Sequence, residues 1–148
     1  MPPDEVAESH RRPSIGDDRG VIVSLHVATG AAMGRAVGSR LLALLLGPPL
    51  HMAGDRVPHE DIPDRTFEAA SGLVALGLLA ARRGPFDPAV LGGAATAMPD
   101  LEHLAPWLRV GGKTLFHRGR GRHGVGIPVE TQLLLAGVLV GFLLARRR

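Results

Sequence analysis

The chain has 148 residues, enough for one domain, and it contains no cysteine, which excludes disulfides and thiolate metal sites. The net charge of +3 is modest and only 3% of the residues are aromatic, so few side chains could stack on bases and nucleic-acid binding is not expected. Any transition-metal site must therefore use His, Asp or Glu, a ligand set that suits zinc, manganese or iron.

Apolar residues are clustered along the chain. Residues 1–19 are polar, charged and rich in proline, which predicts a disordered tail before a single helical domain over 20–148. Alternating strand patterns are absent, so we predict an all-α fold, a compact bundle of about five apolar helices. These helices are expected at five apolar stretches, 21–34, 41–54, 69–81, 88–99 and about 125–145.

The composition of these stretches favours an integral membrane protein. Gly, Ala, Ser and Thr are dense within them, as close helix packing in lipid requires. Stretches 69–81 and 125–145 have almost no polar face. A spanning helix needs about 20 apolar residues, and only 125–145 approaches that length. We therefore predict transmembrane helices in a lipid bilayer, and a compact soluble bundle is the alternative.

Arginine positions predict a topology. Arg35 and Arg40 lie between the first two stretches, Arg82 and Arg83 end the third, and 146–148 end the fifth. Basic residues beside membrane segments tend to stay cytoplasmic, so successive helices should alternate in direction. This predicts a multi-pass protein of the cell inner membrane, with its histidines and acids gathered at the extracytoplasmic ends. The inverted orientation would also keep them together.

Residues 51–61, HMAGDRVPHED, have the spacing of a metal site. His51 and Asp55 are four residues apart and share one face of a helix. Pro58 would end that helix, and a turn could bring His59 back towards the pair. Neutral nitrogen and carboxylate oxygen together suit a divalent metal. The alternative is an ordinary helix end with polar residues entering solvent.

Two further positions add candidate ligands. In the segment Pro99-Asp100-Leu101-Glu102-His103, Asp100 and His103 are three residues apart and could face one way. Acids after a proline are also common helix N-terminal caps. His26 lies within an apolar stretch, where an ionisable group at membrane depth is a functional hypothesis.

The segment 116–124, FHRGRGRHG, brings His117 and His123 into one glycine-rich loop. Glycine permits the tight backbone that a loop around an ion would need. The arginines between the histidines could hold a phosphate or a carboxylate. The alternative is a basic surface loop.

Four short motifs carry a resemblance to a known family. They are His26-Val27-Ala28-Thr29-Gly30, His51 with Asp55 and His59, Pro99-Asp100-Leu101-Glu102-His103, and His117-Arg118-Gly119 followed by His123. Together they resemble the small inner-membrane, metal-dependent hydrolases related to zinc-dependent phospholipase C. The resemblance spans roughly 22–145, with Glu102 where Asp is usual.

The resemblance implies a membrane-embedded metal-dependent hydrolase that acts on a phosphoester or another small-molecule or lipid substrate. Its cofactor would be a divalent metal, with zinc expected. Glu102 is the candidate general base, because it lies beside ligands without needing to be one, and Arg118 could stabilise developing negative charge. A non-enzymatic metal-binding or structural membrane protein, and an ion-transport component, remain alternatives. The expected metal ligands are His26, His51, Asp55, His59, Asp100, His103, His117 and His123.

Overall fold

A computed structural model describes residues 21–60, 62–101 and 126–146. All the regular structure in these ranges is helical and they contain no strand, which confirms the predicted all-α bundle. The predicted disordered tail lies outside the described residues. The helices are α1 (Val23–Val37), α2 (Arg40–Gly54), α3 (Arg65–Arg83), α4 (Pro88–Ala97), which continues into a 3-10 turn (Met98–Asp100), and α5 (Val129–Ala145).

The sharp turn between α1 and α2 is explained by two residues. Gly38 adopts φ +65°, a left-handed conformation that glycine reaches without strain, and its N–H donates to the Gly34 carbonyl. The Ser39 hydroxyl then accepts a hydrogen bond from the Leu42 N–H at 3.4 Å. α2 therefore folds back against α1.

Aspartate caps begin α3 and α4. The Asp64 carboxylate accepts hydrogen bonds from the N–H groups of Thr66 and Phe67 at 2.9 and 3.1 Å. Asp87 accepts one from the Ala89 N–H at 2.9 Å, with proline at the first position of α4. Both helix starts thus follow from local sequence.

The central helix is α1, which packs against the other four helices. Its closest approach is to α4, where a Cβ at Gly30 would overlap the Gly92 carbonyl oxygen and the Thr96 hydroxyl. Buried apolar side chains from α1, α3 and α5 continue this core, among them Val27, Leu79 and Leu143. Small residues let the α1 and α4 backbones touch, and larger ones fill the space beside them.

The helices alternate in direction, as the arginine positions predict. Arg82, at the end of α3, donates to the carbonyl of Leu144 near the end of α5 at 3.3 Å. Arg83 donates to the Leu143 carbonyl and lies 3.2 Å from Asp87, just before α4. One end of the bundle therefore holds these arginines, and the starts of α1 and α5 and the ends of α2 and α4 lie at the other.

Large apolar side chains are exposed on three helices. They include Leu45 at 61% on α2, Leu73 at 69% on α3 and Leu134 at 67% on α5. Among the helices described, none is both long enough and apolar enough to cross a membrane. The helical bundle is thus established, and its insertion in a membrane stays a prediction.

Candidate metal centre

The candidate centre begins with His26, in the first turn of α1. Its side chain is 2% exposed, and its Nε2 lies 3.0 Å from Asp55 Oδ1. The same carboxylate oxygen accepts a hydrogen bond from the Val21 N–H at 3.2 Å. Asp55 thus ties the start of α1 to the end of α2.

His51 and Asp55 confirm the predicted four-residue pair. α2 ends at Gly54, and Asp55 continues in a helical conformation, so both side chains lie on one face. His51 Nε2 lies 3.0 Å from Asp55 Oδ2, and the His51 side chain is fully buried. The His26 and His51 rings contact each other with their centroids 4.0 Å apart and their planes tilted by 32°. One carboxylate therefore holds two buried imidazoles side by side.

Asp100 approaches the pair from the 3-10 turn after α4. Its Oδ1 lies 3.7 Å from His51 Nε2, and the residue is buried. His26, His51 and Asp100 each offer a ligand atom, and these atoms all lie within 4.8 Å of one another. Three segments distant in sequence thus converge on one point.

Burial shifts the pKa values of this cluster. Desolvation lowers the pKa of His26 to about 4, helped by the nearby imidazoles and opposed by Asp55. Desolvation also raises the pKa of Asp100, and the charges of Asp55 and Glu68 raise it further. His26 is therefore neutral at physiological pH, which is the form that binds metals.

Glu68 is a neighbour of the site that the sequence did not reveal. It lies in the first turn of α3, close enough to raise the pKa of Asp100. In sequence it is indistinguishable from the acids that favour any helix N-terminus. Its negative charge adds to that of Asp55 in disfavouring the ionised form of Asp100.

His59 is also folded back into the protein, as the Pro58 turn predicted. It is fully buried, and its Nδ1 is hydrogen-bonded to the Val57 carbonyl. A carbonyl only accepts, so His59 Nδ1 is the donor of this hydrogen bond. The structure does not place His59 in the three-residue cluster. It does place His59 near enough to lower the pKa of His26.

The loop around His59 is held by Gln132 on α5. The Glu60 N–H donates to the Ile127 carbonyl at 3.0 Å, and the Ile127 N–H donates to the Pro58 carbonyl. The Gln132 amide donates to the Glu60 and Ile127 carbonyls and accepts from the Ile22 N–H. The start of α1 is thereby fixed one turn before His26.

The separations in the cluster fit a small divalent cation. Ligand atoms about 2.0–2.1 Å from a tetrahedral zinc lie about 3.3 Å apart. His51 Nε2 and Asp100 Oδ1 are 3.7 Å apart, close to that value, and the ligand atoms of His26, His51 and Asp100 all lie within 4.8 Å of one another. A cation there would also neutralise carboxylates that burial otherwise penalises. The residues present therefore fit the cofactor that the sequence predicts.

Of the predicted site residues, the structure brings together four: His26, His51, Asp55 and Asp100. Three predicted ligands lie outside the described residues, namely His103, His117 and His123. Both predicted catalytic residues, Glu102 and Arg118, also lie outside them.

No protein-family model matches the chain, and neither a curated protein nor a solved structure matches it. The geometry of the cluster is therefore the basis for the functional proposal.

Proposed function

We propose that this protein binds one divalent metal through His26, His51 and Asp100 and uses it to hydrolyse a phosphoester. The observation that supports the proposal is the buried convergence of two imidazoles and a carboxylate from separate segments, all within 4.8 Å. Zinc is the metal we favour, because two nitrogens and one oxygen are an ordinary zinc ligand set.

Asp55 has a separate role in this proposal. Its Oδ1 lies 3.0 Å from His26 Nε2 and its Oδ2 lies 3.0 Å from His51 Nε2, so Asp55 holds both rings in place in the metal-free protein. Its side chain is 18% exposed, whereas His51 is inaccessible. Water and substrate can therefore approach from the carboxylate side, while α1 and α2 close the imidazole side.

Three protein ligands distinguish a catalytic zinc site from a structural one, which normally has four. A divalent metal supplies Lewis acidity towards a phosphoryl oxygen and makes water nucleophilic near neutral pH. The chain's own part is to hold His26 neutral and to orient both rings. Glu102, the candidate general base, follows Asp100 by two residues.

We also propose that lipid covers the exposed apolar faces of the bundle. α2 packs on α1 and α4, whereas α3 and α5 pack on each other and on α1, so the exposed leucines do not form one patch. A distributed apolar surface suits lipid better than a single protein partner. The multi-pass arrangement and the extracytoplasmic position of the ligands remain predictions.

Metal binding is tested by elemental analysis of purified protein dialysed against zinc and then against metal-free buffer. We expect about one zinc per chain, with loss in His51→Gln and Asp100→Asn. Asp64→Asn is the matched control, since asparagine still caps α3 and Asp64 is outside the cluster. A folded wild-type protein that retains no zinc, manganese or iron would refute the site.

Hydrolysis is tested with bis(p-nitrophenyl) phosphate and with a phospholipid in mixed micelles. The zinc-loaded wild type should release product, and both ligand variants should not. Normal zinc content without turnover of either substrate class would favour a non-enzymatic metal-binding protein. Membrane attachment is tested separately by carbonate extraction, where release into the soluble fraction would contradict the lipid proposal.

A further inference from the structure

A groove runs along the bundle between α3 and α5, with α1 as its floor. Its volume is about 410 Å³, within the range of small-molecule sites. It is lined by Val74 and Leu78 on α3 and by Leu133, Gly137 and Leu144 on α5. Along α5 the groove extends from Leu133 to Leu144, eleven positions apart, which is roughly 16 Å at the rise of an α-helix. Its shape and its apolar lining suit one extended alkyl chain.

This groove is separate from the candidate metal centre. Ser24 lines it, whereas His26 faces the cluster, and two residues turn an α-helix by roughly 200°. Ser24 is 5% exposed, and its hydroxyl makes no hydrogen bond within the part of the chain described. An unsatisfied hydroxyl in an apolar wall is costly, which indicates that this surface is arranged for a ligand or its water.

The other end of the groove is positively charged. Leu144 lines it, and the exposed Arg82 donates to the Leu144 carbonyl. Arg146 does not take part, because its guanidinium lies 4.4 Å from the centre of the Phe142 ring, and Phe142 is two residues, or roughly 200° of helix, from Leu144. Arg83 pairs with Asp87, whereas the salt bridges of the described residues do not include Arg82. The Arg82 guanidinium is therefore available to an anion at the end of an apolar groove.

We propose that the groove binds a long-chain fatty acid, with its alkyl chain between α3 and α5 and its carboxylate against Arg82. Charge complementarity determines the direction, because Arg82 lies at one end of the groove and the polar side chains among its lining residues, Ser24 and Ser71, are neutral. The site does not depend on the metal proposal, and its test requires no metal.

The chain offers a matched pair of glycines for the test. A Cβ at Gly137 meets nothing within 4 Å, so Gly137→Leu would fill the groove without displacing protein atoms. A Cβ at Gly77 on α3 also meets nothing, and Gly77 does not line the groove. Gly77→Leu is therefore the same substitution in an equally open place.

The experiment is photo-crosslinking of the full chain with a sixteen-carbon fatty acid that carries a mid-chain diazirine, followed by mapping of adducts by mass spectrometry. We expect adducts on α3 and α5, their loss in Gly137→Leu, and their retention in Gly77→Leu. If Gly137→Leu does not fold, Gly141→Leu replaces it, since Gly141 lines the same groove with open space at its Cβ. Undiminished labelling in a folded groove-filling variant would refute the site.

The head-group assignment is tested in the same assay. Arg82→Gln should lower labelling by the carboxylate probe about tenfold, as expected for a charge-assisted hydrogen bond. It should leave labelling by the corresponding alcohol unchanged. Palmitate should compete better than octanoate, hexadecanol or diacyl phosphatidylglycerol. Equal competition by palmitate and hexadecanol would refute the carboxylate contact, and stronger competition by the phospholipid would refute the fatty acid as ligand.

Discussion

Asp55 Oδ1 lies 3.0 Å from His26 Nε2, so a residue just beyond the end of α2 orients a histidine buried in α1. The other oxygen of the same carboxylate lies 3.0 Å from His51 Nε2. The ring centroids are 4.0 Å apart with the planes tilted by 32°, and the relative position of the two rings therefore depends on one side chain.

The first prediction concerns that side chain. Asp55→Asn keeps the shape of the residue and removes its charge, so we expect zinc affinity to fall about 10- to 100-fold, the usual effect of losing a group that orients metal-binding histidines. Competition with a chromophoric zinc chelator measures the change. A loss as complete as that of His51→Gln would make Asp55 a ligand, and an unchanged affinity would contradict its positioning role.

The second prediction concerns the stability of metal-free protein in acid. The pKa of His26 is lowered from 6.5 to about 4, so the unfolded chain takes up a proton that the folded protein resists. His26 therefore contributes stability that is fully present above pH 6.5 and is lost as the pH falls towards 4, up to about 3 kcal/mol. The raised pKa of Asp100 acts in the opposite direction, because the folded protein holds that proton more tightly.

The two contributions are separated by Asp100→Asn, which removes the opposing carboxyl. We expect this variant to lose stability more steeply than the wild type between pH 6.5 and 4, measured by urea unfolding in the presence of a chelator. The double variant, with His26→Gln added to Asp100→Asn, should show a weaker dependence of its unfolding free energy on pH than Asp100→Asn alone. Parallel curves for the wild type and Asp100→Asn would contradict the assignment.

The third prediction concerns Glu102, the candidate general base because it lies beside the predicted ligand Asp100. Glu102→Gln should abolish phosphoester hydrolysis and leave the zinc content at the wild-type level, because a base need not bind the metal. Activity and elemental analysis are measured on the same preparation. Loss of zinc would identify Glu102 as a ligand, and retained activity would exclude it as the base.

The fourth prediction concerns the contact between α1 and α4. Gly30→Ala places a Cβ against the Gly92 carbonyl and the Thr96 side chain, so we expect destabilisation of about 1–3 kcal/mol. Gly77→Ala, with open space at its Cβ in the interior of α3, should instead stabilise by about 0.5–1 kcal/mol. Thermal unfolding of both proteins measures the difference. Equal effects would show that the two backbones are not in close contact.

Local sequence was sufficient for the helices and for one pair of site residues. The spacing of apolar residues predicted five helices, and the described ranges contain five. The aspartate caps and Gly38 act within a few residues of the helix ends that they define. His51 and Asp55 could be paired from their four-residue spacing, because the periodicity of a helix alone brings them together.

Contacts between residues that are far apart in sequence became known from the packing of the helices. His26 lies 29 residues before Asp55, and their contact depends on close packing of α1 and on the loop that Gln132 holds. Glu68 lies close enough to raise the pKa of Asp100 because of how α3 packs, and no local sequence pattern predicts this. Local sequence patterns were thus enough to predict where the helices lie and which residues are candidate metal ligands. The side chains that converge were selected by helix packing, since burial and shape act between segments that are far apart in the chain.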